Sequence, residues 1–212
     1  EKVEDFAQSM LLHFDAFGRL PIWTLWGQEN YCMIANHSIA VLAEANEKGI
    51  KIDLPKALKA AIKTSDFGEG YERLGYFPFD QKRGASVART LECAYDDYCV
   101  YLLAKAAGNK SEAERFLKRS KFYKNLFDKS TGFMRGKDSN GNWREPFDEF
   151  KFPNGGGCGT VAAAVVVGQR GDVHAAEHRH AGNVGGRHVV IRAGRQAGMD
   201  VQINGALHHF TG

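Results

Sequence analysis

The chain has 212 residues, a net charge of +3, 43% hydrophobic and 25% charged residues, values ordinary for a soluble protein with one sizeable core. So weak a positive charge implies no nucleic-acid or anionic-membrane partner. No apolar run approaches the ~20 residues of a membrane span, and no basic-then-apolar signal segment opens the chain.

Phe6, Met10, Phe14 and Phe17 recur at helical spacing up to Gly18, which predicts a first amphipathic helix over 3–17. Leu20 to Gln28 holds Pro21, Trp23, Trp26 and Gly27, a loop whose aromatic richness says that it lines something. A second helix is expected from Glu29 or Asn30 to Lys48, stopped by Gly49. Pro55 suits the first turn of a third helix through Ser65. Asp66 to Ala85, rich in Gly, Phe and Tyr, is longer than a structural connection needs. Ser86 is placed as the cap of a fourth helix to Ala107, and Ser111 with Glu114 as the capping box of a fifth ending near Phe127. Asp138-Ser139-Asn140-Gly141-Asn142 is turn chemistry. The fold class expected is all-α, with about five helices and no alternating strand. Cys32, Cys93, Cys99 and Cys158 form no C-x-x-C pair and read as buried free thiols.

Composition changes near Asn154. From 155 to 212 there are 13 glycines, six of the eight histidines and one leucine, with no lysine, tyrosine or tryptophan, a shift seldom seen inside one folding unit. The division expected is therefore 1–153 and a Gly/Ala/His-rich tail, 154–212. His174 and His178, four apart, would share a helix face and could bind zinc. Against that stand a weakly ordered tail without a core and a stretch translated out of frame, the reading preferred here.

A sugar site needs flat apolar faces for C–H groups together with carboxylates and amides for hydroxyls. The 20–38 stretch offers Trp23, Trp26, Glu29, Asn36 and His37. On a helix starting near Glu29, the residues Glu29, Met33, Asn36 and His37 share one face. Glu29 and His37 would lie two turns apart, too far for a direct acid–base pair. Glu29 could instead cap the helix, His37 could sit satisfied in the core, and either indole could simply pack. Asp80, in the long loop, is a candidate to touch ligand or to fix the loop. Asp96 and Asp97 diverge by ~100° on a helix, so they are no carboxylate dyad; they fit a solvent-facing side, from which one of them could reach the cleft. No pair of carboxyls suited to the ~6.5–9.5 Å spacing of inverting glycosidases stands out, and no catalytic residue or metal ligand is nominated.

The 20–38 stretch, Tyr76-Phe77-Pro78-Phe79-Asp80, Thr90-Leu91-Glu92-Cys93-Ala94-Tyr95-Asp96-Asp97-Tyr98-Cys99 and Gly132-Phe133-Met134-Arg135-Gly136-Lys137-Asp138-Ser139-Asn140-Gly141-Asn142-Trp143 together resemble the calcium-dependent α-mannosidases of glycoside hydrolase family 92. The resemblance runs from about Val3 to Phe150 and implies part of an (α/α)6 toroid. It implies exo-hydrolysis of α-linked mannose, α-1,2 linkages of high-mannose N-glycans above all, with inversion and with Ca2+. The partners implied are a mannose-containing glycan, a missing N-terminal β-domain and the remainder of the toroid; the location implied is periplasmic, cell-surface or secreted. The family's E-G-N-x-W-x-Y segment with the general acid, its G-N-D-D-x-G-like segment with the base, its G-N-E-P-x-H-H calcium segment and its W-D-T-x-R segment are absent from this sequence. Ala35 stands where the family usually has glycine. The chain alone is expected to be inactive and to bind calcium weakly. The rival readings are another α/α-toroid carbohydrate enzyme, a non-catalytic helical glycan-binding module, and a histidine-rich metal protein.

Overall fold

The computed structural model describes residues 2–81 and 85–147. The stretch 154–212, with Cys158, His174 and His178, lies outside the described residues. Six helices are found among the described residues: α1 (Lys2–Phe17), α2 (Ser38–Glu47), α3 (Leu54–Thr64), α4 (Glu69–Leu74), α5 (Ser86–Ala106) and α6 (Lys110–Arg119). A 3-10 helix, Phe122–Leu126, follows α6. Two minimal antiparallel hairpins, β1 (Thr24–Leu25) with β2 (Gln28–Glu29) and β3 (Phe127–Asp128) with β4 (Phe133–Met134), were not expected. Two-residue strands are too short to show an alternating pattern.

The local chemistry explains most boundaries. Gly18, at φ 74°, closes α1 by donating its N–H to the Phe14 carbonyl at 2.8 Å, a left-handed position that glycine takes without strain. Asp53 caps α3 by accepting the Lys56 N–H at 3.1 Å, with Pro55 in the first turn. Three expectations need correction. The second helix starts at Ser38, not near Glu29, because Trp26, Tyr31 and Ala35 take φ values of 58°, 55° and 63°, which a right-handed helix does not allow. Asn109, not the Ser111–Glu114 box, caps α6, its side chain accepting the Glu112 N–H, and α6 ends at Arg119, well before Phe127. Ser86 is the first residue of α5 rather than its cap, which is Ala85.

Helix α5 is the hub: α2, α3, α6 and the 3-10 helix all pack on it, while α1 packs on α2 and α3. Its C-terminal half, Cys99, Val100, Leu103 and Ala104, joins the main core with Leu11, Phe14, Leu42, Ala61 and Phe116. Its N-terminal half instead buries polar groups, Ser86, Thr90, Asp96 and Asp97. Around that half sit two smaller apolar clusters, one with Tyr76, Val87, Leu126 and Met134, the other with Tyr71, Cys93 and Phe122. The buried polarity is thus gathered at one end of the bundle.

Candidate functional site

The loop from Arg19 to Asn36 is tied down from both ends. Leu20 donates its N–H to Thr64 Oγ1 at 3.0 Å, and Arg19 reaches the Thr64 carbonyl at 2.6 Å. Asn36 Nδ2 donates to the Leu20 carbonyl at 2.7 Å, closing the loop on itself. Glu29, at the end of the hairpin rather than on a helix, accepts the N–H groups of Ile22 at 2.6 Å, Trp23 at 3.0 Å and Tyr31 at 2.9 Å. Partial burial opposes its ionisation, but the donors of Ile22, Tyr31, Trp23 and Asn30 outweigh burial and hold the carboxyl below its usual range. The hairpin carries Trp23 half-exposed and Trp26 93% exposed.

One buried carboxylate anchors the end of this loop. Asp96 accepts the Asn36 N–H at 2.6 Å through one oxygen and faces His37 Nδ1 at 2.8 Å through the other. His37 Nε2 meets Glu92 at 2.8 Å. With a carboxylate on each ring nitrogen, His37 is an imidazolium: the Asp96 and Glu92 hydrogen bonds raise its pKa to about 10 against a smaller opposing effect of burial. The same hydrogen bond from His37, outweighing burial, holds Glu92 below its usual range. Neither Asp96 nor Asp97 is solvent-facing; both are fully buried, which corrects that reading. Asp97 pairs with Arg119 at 2.8 Å and accepts the Tyr71 hydroxyl at 3.3 Å. Burial pushes the Asp97 carboxyl up to about 7, against the pull of Arg119. Arg119 itself donates to the Ser65 carbonyl at 2.7 Å and lies over the Phe116 ring at 4.6 Å.

A cleft of about 740 Å³ opens between the Tyr31–Asn36 segment, the end of α3 and the polar half of α5. Arg19, Tyr31, Asn36, Asp66 and Arg89 supply its polar groups, and Phe67 and Phe77 an aromatic wall. Asn36 Oδ1 is buried and meets no donor among the described residues. A second hollow, of about 370 Å³, shares Phe67, Phe77 and Arg89 with the first.

Of the six residues singled out in the sequence, Asn36 lines the cleft. His37 sits beside it, bound to Asp96 and Glu92. Trp23, Trp26 and Glu29 belong to the hairpin, and Asp80 fixes the turn at 138–142 by accepting the Ser139 N–H at 3.0 Å and its hydroxyl at 2.9 Å. Sequence reasoning missed the buried roles of Asp96, Asp97 and Arg119. The signal was there: Cys93, Asp96, Asp97 and Val100 stand at i, i+3, i+4 and i+7, the spacing of one buried stripe.

Flat rings beside an amide, a hydroxyl and guanidinium groups suit a polyhydroxylated ligand, while Glu92, Asp96 and Asp97 are all engaged elsewhere. Among the described residues no three His, Cys, Asp or Glu side chains converge as a metal site. Calcium takes about six to eight oxygen ligands, and both oxygens of Asp96 are already committed, so the described residues do not fit that ion.

The sequence model of the glycosyl hydrolase family 92 catalytic domain matches residues 1–178. The chain belongs to glycosyl hydrolase family 92. The match runs past residue 153, where composition changes. An uncharacterised secreted glycosidase of Arthroderma benhamiae is 29% identical over 164 residues, which take in 62% of this chain and 21% of that protein. A family 92 α-mannosidase of Bacteroides thetaiotaomicron is similar in structure, with TM-score 0.69 and 40% identity over 76% of this chain and 22% of its own. A family 92 inverting mannosidase of the same bacterium gives TM-score 0.68 and 32% identity over 74% of this chain and 23% of its own. This family 92 chain therefore spans about a fifth of the length of the relatives it matches. The described residues are all-α apart from the two hairpins, as expected of a segment of the family's α/α toroid. No described helix is long and apolar enough to cross a membrane.

Proposed function

We propose that the protein represented by this family 92 chain is an exo-acting α-mannosidase that removes α-1,2-linked mannose from high-mannose N-glycans with inversion, and that this segment supplies a sugar-binding cleft. The observation that carries the reading is the cleft itself, where Arg19, Tyr31, Asn36, Asp66 and Arg89 bring polar groups beside the rings of Phe67 and Phe77. The 40% identity to a Bacteroides α-mannosidase supports the substrate class.

In this reading Asn36 and His37 act by holding the loop that forms one wall of the cleft. Glu29 and Asp80 fix the hairpin and the 138–142 turn, while Trp23 and Trp26 stack on sugar units farther out. The general acid, the base and any calcium ligands come from polypeptide outside the described residues, so the parent's calcium dependence involves none of the groups described above. A secreted or periplasmic location accords with the relative named as a secreted glycosidase.

The test is mannose release from α-1,2-mannobiose. The purified chain is expected to release none, and a full-length family 92 polypeptide carrying it to release mannose with inverted anomeric configuration. Release by the chain alone, or none by the full-length protein, contradicts the proposal. The engaged state of Glu92, Asp96 and Asp97 favours one alternative, a glycan-binding module without turnover; quenching of Trp23 and Trp26 fluorescence by mannose with no hydrolysis in the full-length protein would establish it. The proposal also keeps residues 1–153 as the catalytic-domain segment and 154–212 as out-of-frame sequence. Resequencing the coding DNA from the codon of Glu145 decides it, because another frame should then read E-G-N-x-W-x-Y.

A further inference from the structure

Arg119, at the end of α6, reaches into the polar half of α5 and is only 2% exposed. Its fork grips Asp97 through Nε at 3.1 Å and Nη2 at 2.8 Å. The other donors leave α5: Nη2 also reaches the Ser65 carbonyl, at the end of α3, at 2.7 Å, and Nη1 reaches Glu72 of α4 at 3.0 Å. One planar group thus holds three elements in a set geometry. Its faces serve another purpose. The guanidinium carbon lies 5.5 Å from the centroid of the Phe67 ring and 5.3 Å from that of Tyr71, both within cation–π range. Tyr71 in turn stacks on Phe77 with centroids 4.4 Å apart, and Phe67 meets Tyr71 and Phe77 edge-on at 5.4 and 5.7 Å. Phe67 and Phe77 are the wall that the two hollows share, and Arg119 stands behind it, outside both linings.

We propose that Arg119 is a positioning residue for the sugar cleft: from behind the wall it sets where Phe67 and Phe77 stand, and through them how tightly a sugar is held. Stacking depends steeply on distance, because a gap of ~0.5–1 Å already forfeits roughly a quarter to a half of the contact attraction. Two routes carry the position. Ser65 stands two residues before Phe67, so its pinned carbonyl fixes the backbone from which Phe67 projects, and the guanidinium then supports the ring. Phe77 is tied by its N–H to Thr90 Oγ1 at 3.0 Å. The orientation of its ring follows Tyr71, which leans on Arg119 and donates its hydroxyl to Asp97 at 3.3 Å. Pairing with Asp97 alone does not call for an arginine, since a lysine would also neutralise it. A lysine offers neither a plane for the rings nor a fork that reaches three elements at once.

The role of the cleft rests on the proposed mannosidase reading, so the test has a kinetic arm that shares that reading and a spectroscopic arm that does not. Two variants separate position from folding. Arg119→Lys keeps a charge beside Asp97, and Arg119→Met combined with Asp97→Asn removes both charges together, which spares the interior an unpaired ion. Arg115→Met is the control: it too takes a partner from Glu72, but its guanidinium lies over Phe116 and not over the wall. In a full-length family 92 polypeptide carrying the chain, both Arg119 variants are expected to raise KM for α-1,2-mannobiose about tenfold with kcat within about twofold, and Arg115→Met to match the parent. In the chain itself, para-fluorophenylalanine at position 67 is expected to give a fluorine resonance that moves in both Arg119 variants and not in the control, with far-ultraviolet circular dichroism unchanged. An unchanged KM in either folded variant overturns the proposal, and so does an effect carried mainly by kcat or an equal rise in KM in Arg115→Met. If one Arg119 variant fails to fold, the other decides. If the full-length parent releases no mannose, the proposed function falls by itself, and a fluorine resonance that stays in place in a folded Arg119 variant overturns the positioning role.

Discussion

With both oxygens of Asp96 committed to Asn36 and His37, Asp96→Ala would leave a buried N–H and an imidazolium without their partner. A loss of about 2–4 kcal/mol is expected in urea unfolding. Arg119→Met should cost about 3–5 kcal/mol well above neutral pH, where the Asp97 carboxyl, raised to about 7, is ionised and would be left without its partner; a loss below about 1 kcal/mol there would show that Asp97 takes up a proton once Arg119 is gone. His37 gives a pH dependence of defined sign. Its native pKa, about 10, lies above the ordinary value near 6.5 of an unfolded histidine. The stabilisation is therefore complete below about pH 6.5 and is lost progressively as pH rises toward 10. Half of the ring is exposed, so solvent screens the effect. An NMR titration in which the His37 imidazole loses its proton near pH 6.5 would contradict the double carboxylate clamp.

Ala35 shows how much of an element can hang on one backbone angle. Held at φ 63°, it bears a conformation that costs an L-residue roughly 1–2 kcal/mol and glycine almost nothing. Ala35→Gly is expected to raise stability by about 0.5–1 kcal/mol in thermal or urea unfolding; a fall would mean that its packing beside Tyr71 and Phe77 matters more. This position also explains why the start of α2 was misread. The apolar and polar spacing from Glu29 to His37 fits a helix, but spacing cannot report that Tyr31 and Ala35 are left-handed. Helices α1, α3 and α5 were legible because Gly18, Pro55 and Gly108 mark their ends with chemistry that acts locally. The cleft was legible in part: Asn36 was found through its neighbours in sequence. Arg19, Asp66 and Phe67 reach it through tertiary contacts that no local pattern encodes.

At the scale of the whole molecule, the hairpin is one of the exposed apolar features among the described residues, and it bears on solution behaviour. Trp23, Leu25 and Trp26 are 55%, 56% and 93% exposed on one short turn, and contiguous apolar surface of this kind promotes association. The purified chain is expected to self-associate weakly with rising concentration in sedimentation velocity, and Trp26→Ser to reduce that association. A monomer at every concentration would show that the indoles are solvated without penalty.

The division of α5 into an apolar half and a polar half has a consequence for how sequence change is tolerated along it. At Val100 and Leu103 the requirement is volume, which several side chains can meet with small compensating shifts. At Thr90, Asp96 and Asp97 the polar atoms answer particular partners, the Phe77 N–H and the Ser86 carbonyl at Thr90, Asn36 and His37 at Asp96, and Arg119 and Tyr71 at Asp97, so no substitute of similar size will serve. A saturation library scored for folded protein should therefore cut this single helix in two near Tyr98, permissive toward its C-terminal end and nearly intolerant toward its N-terminal end.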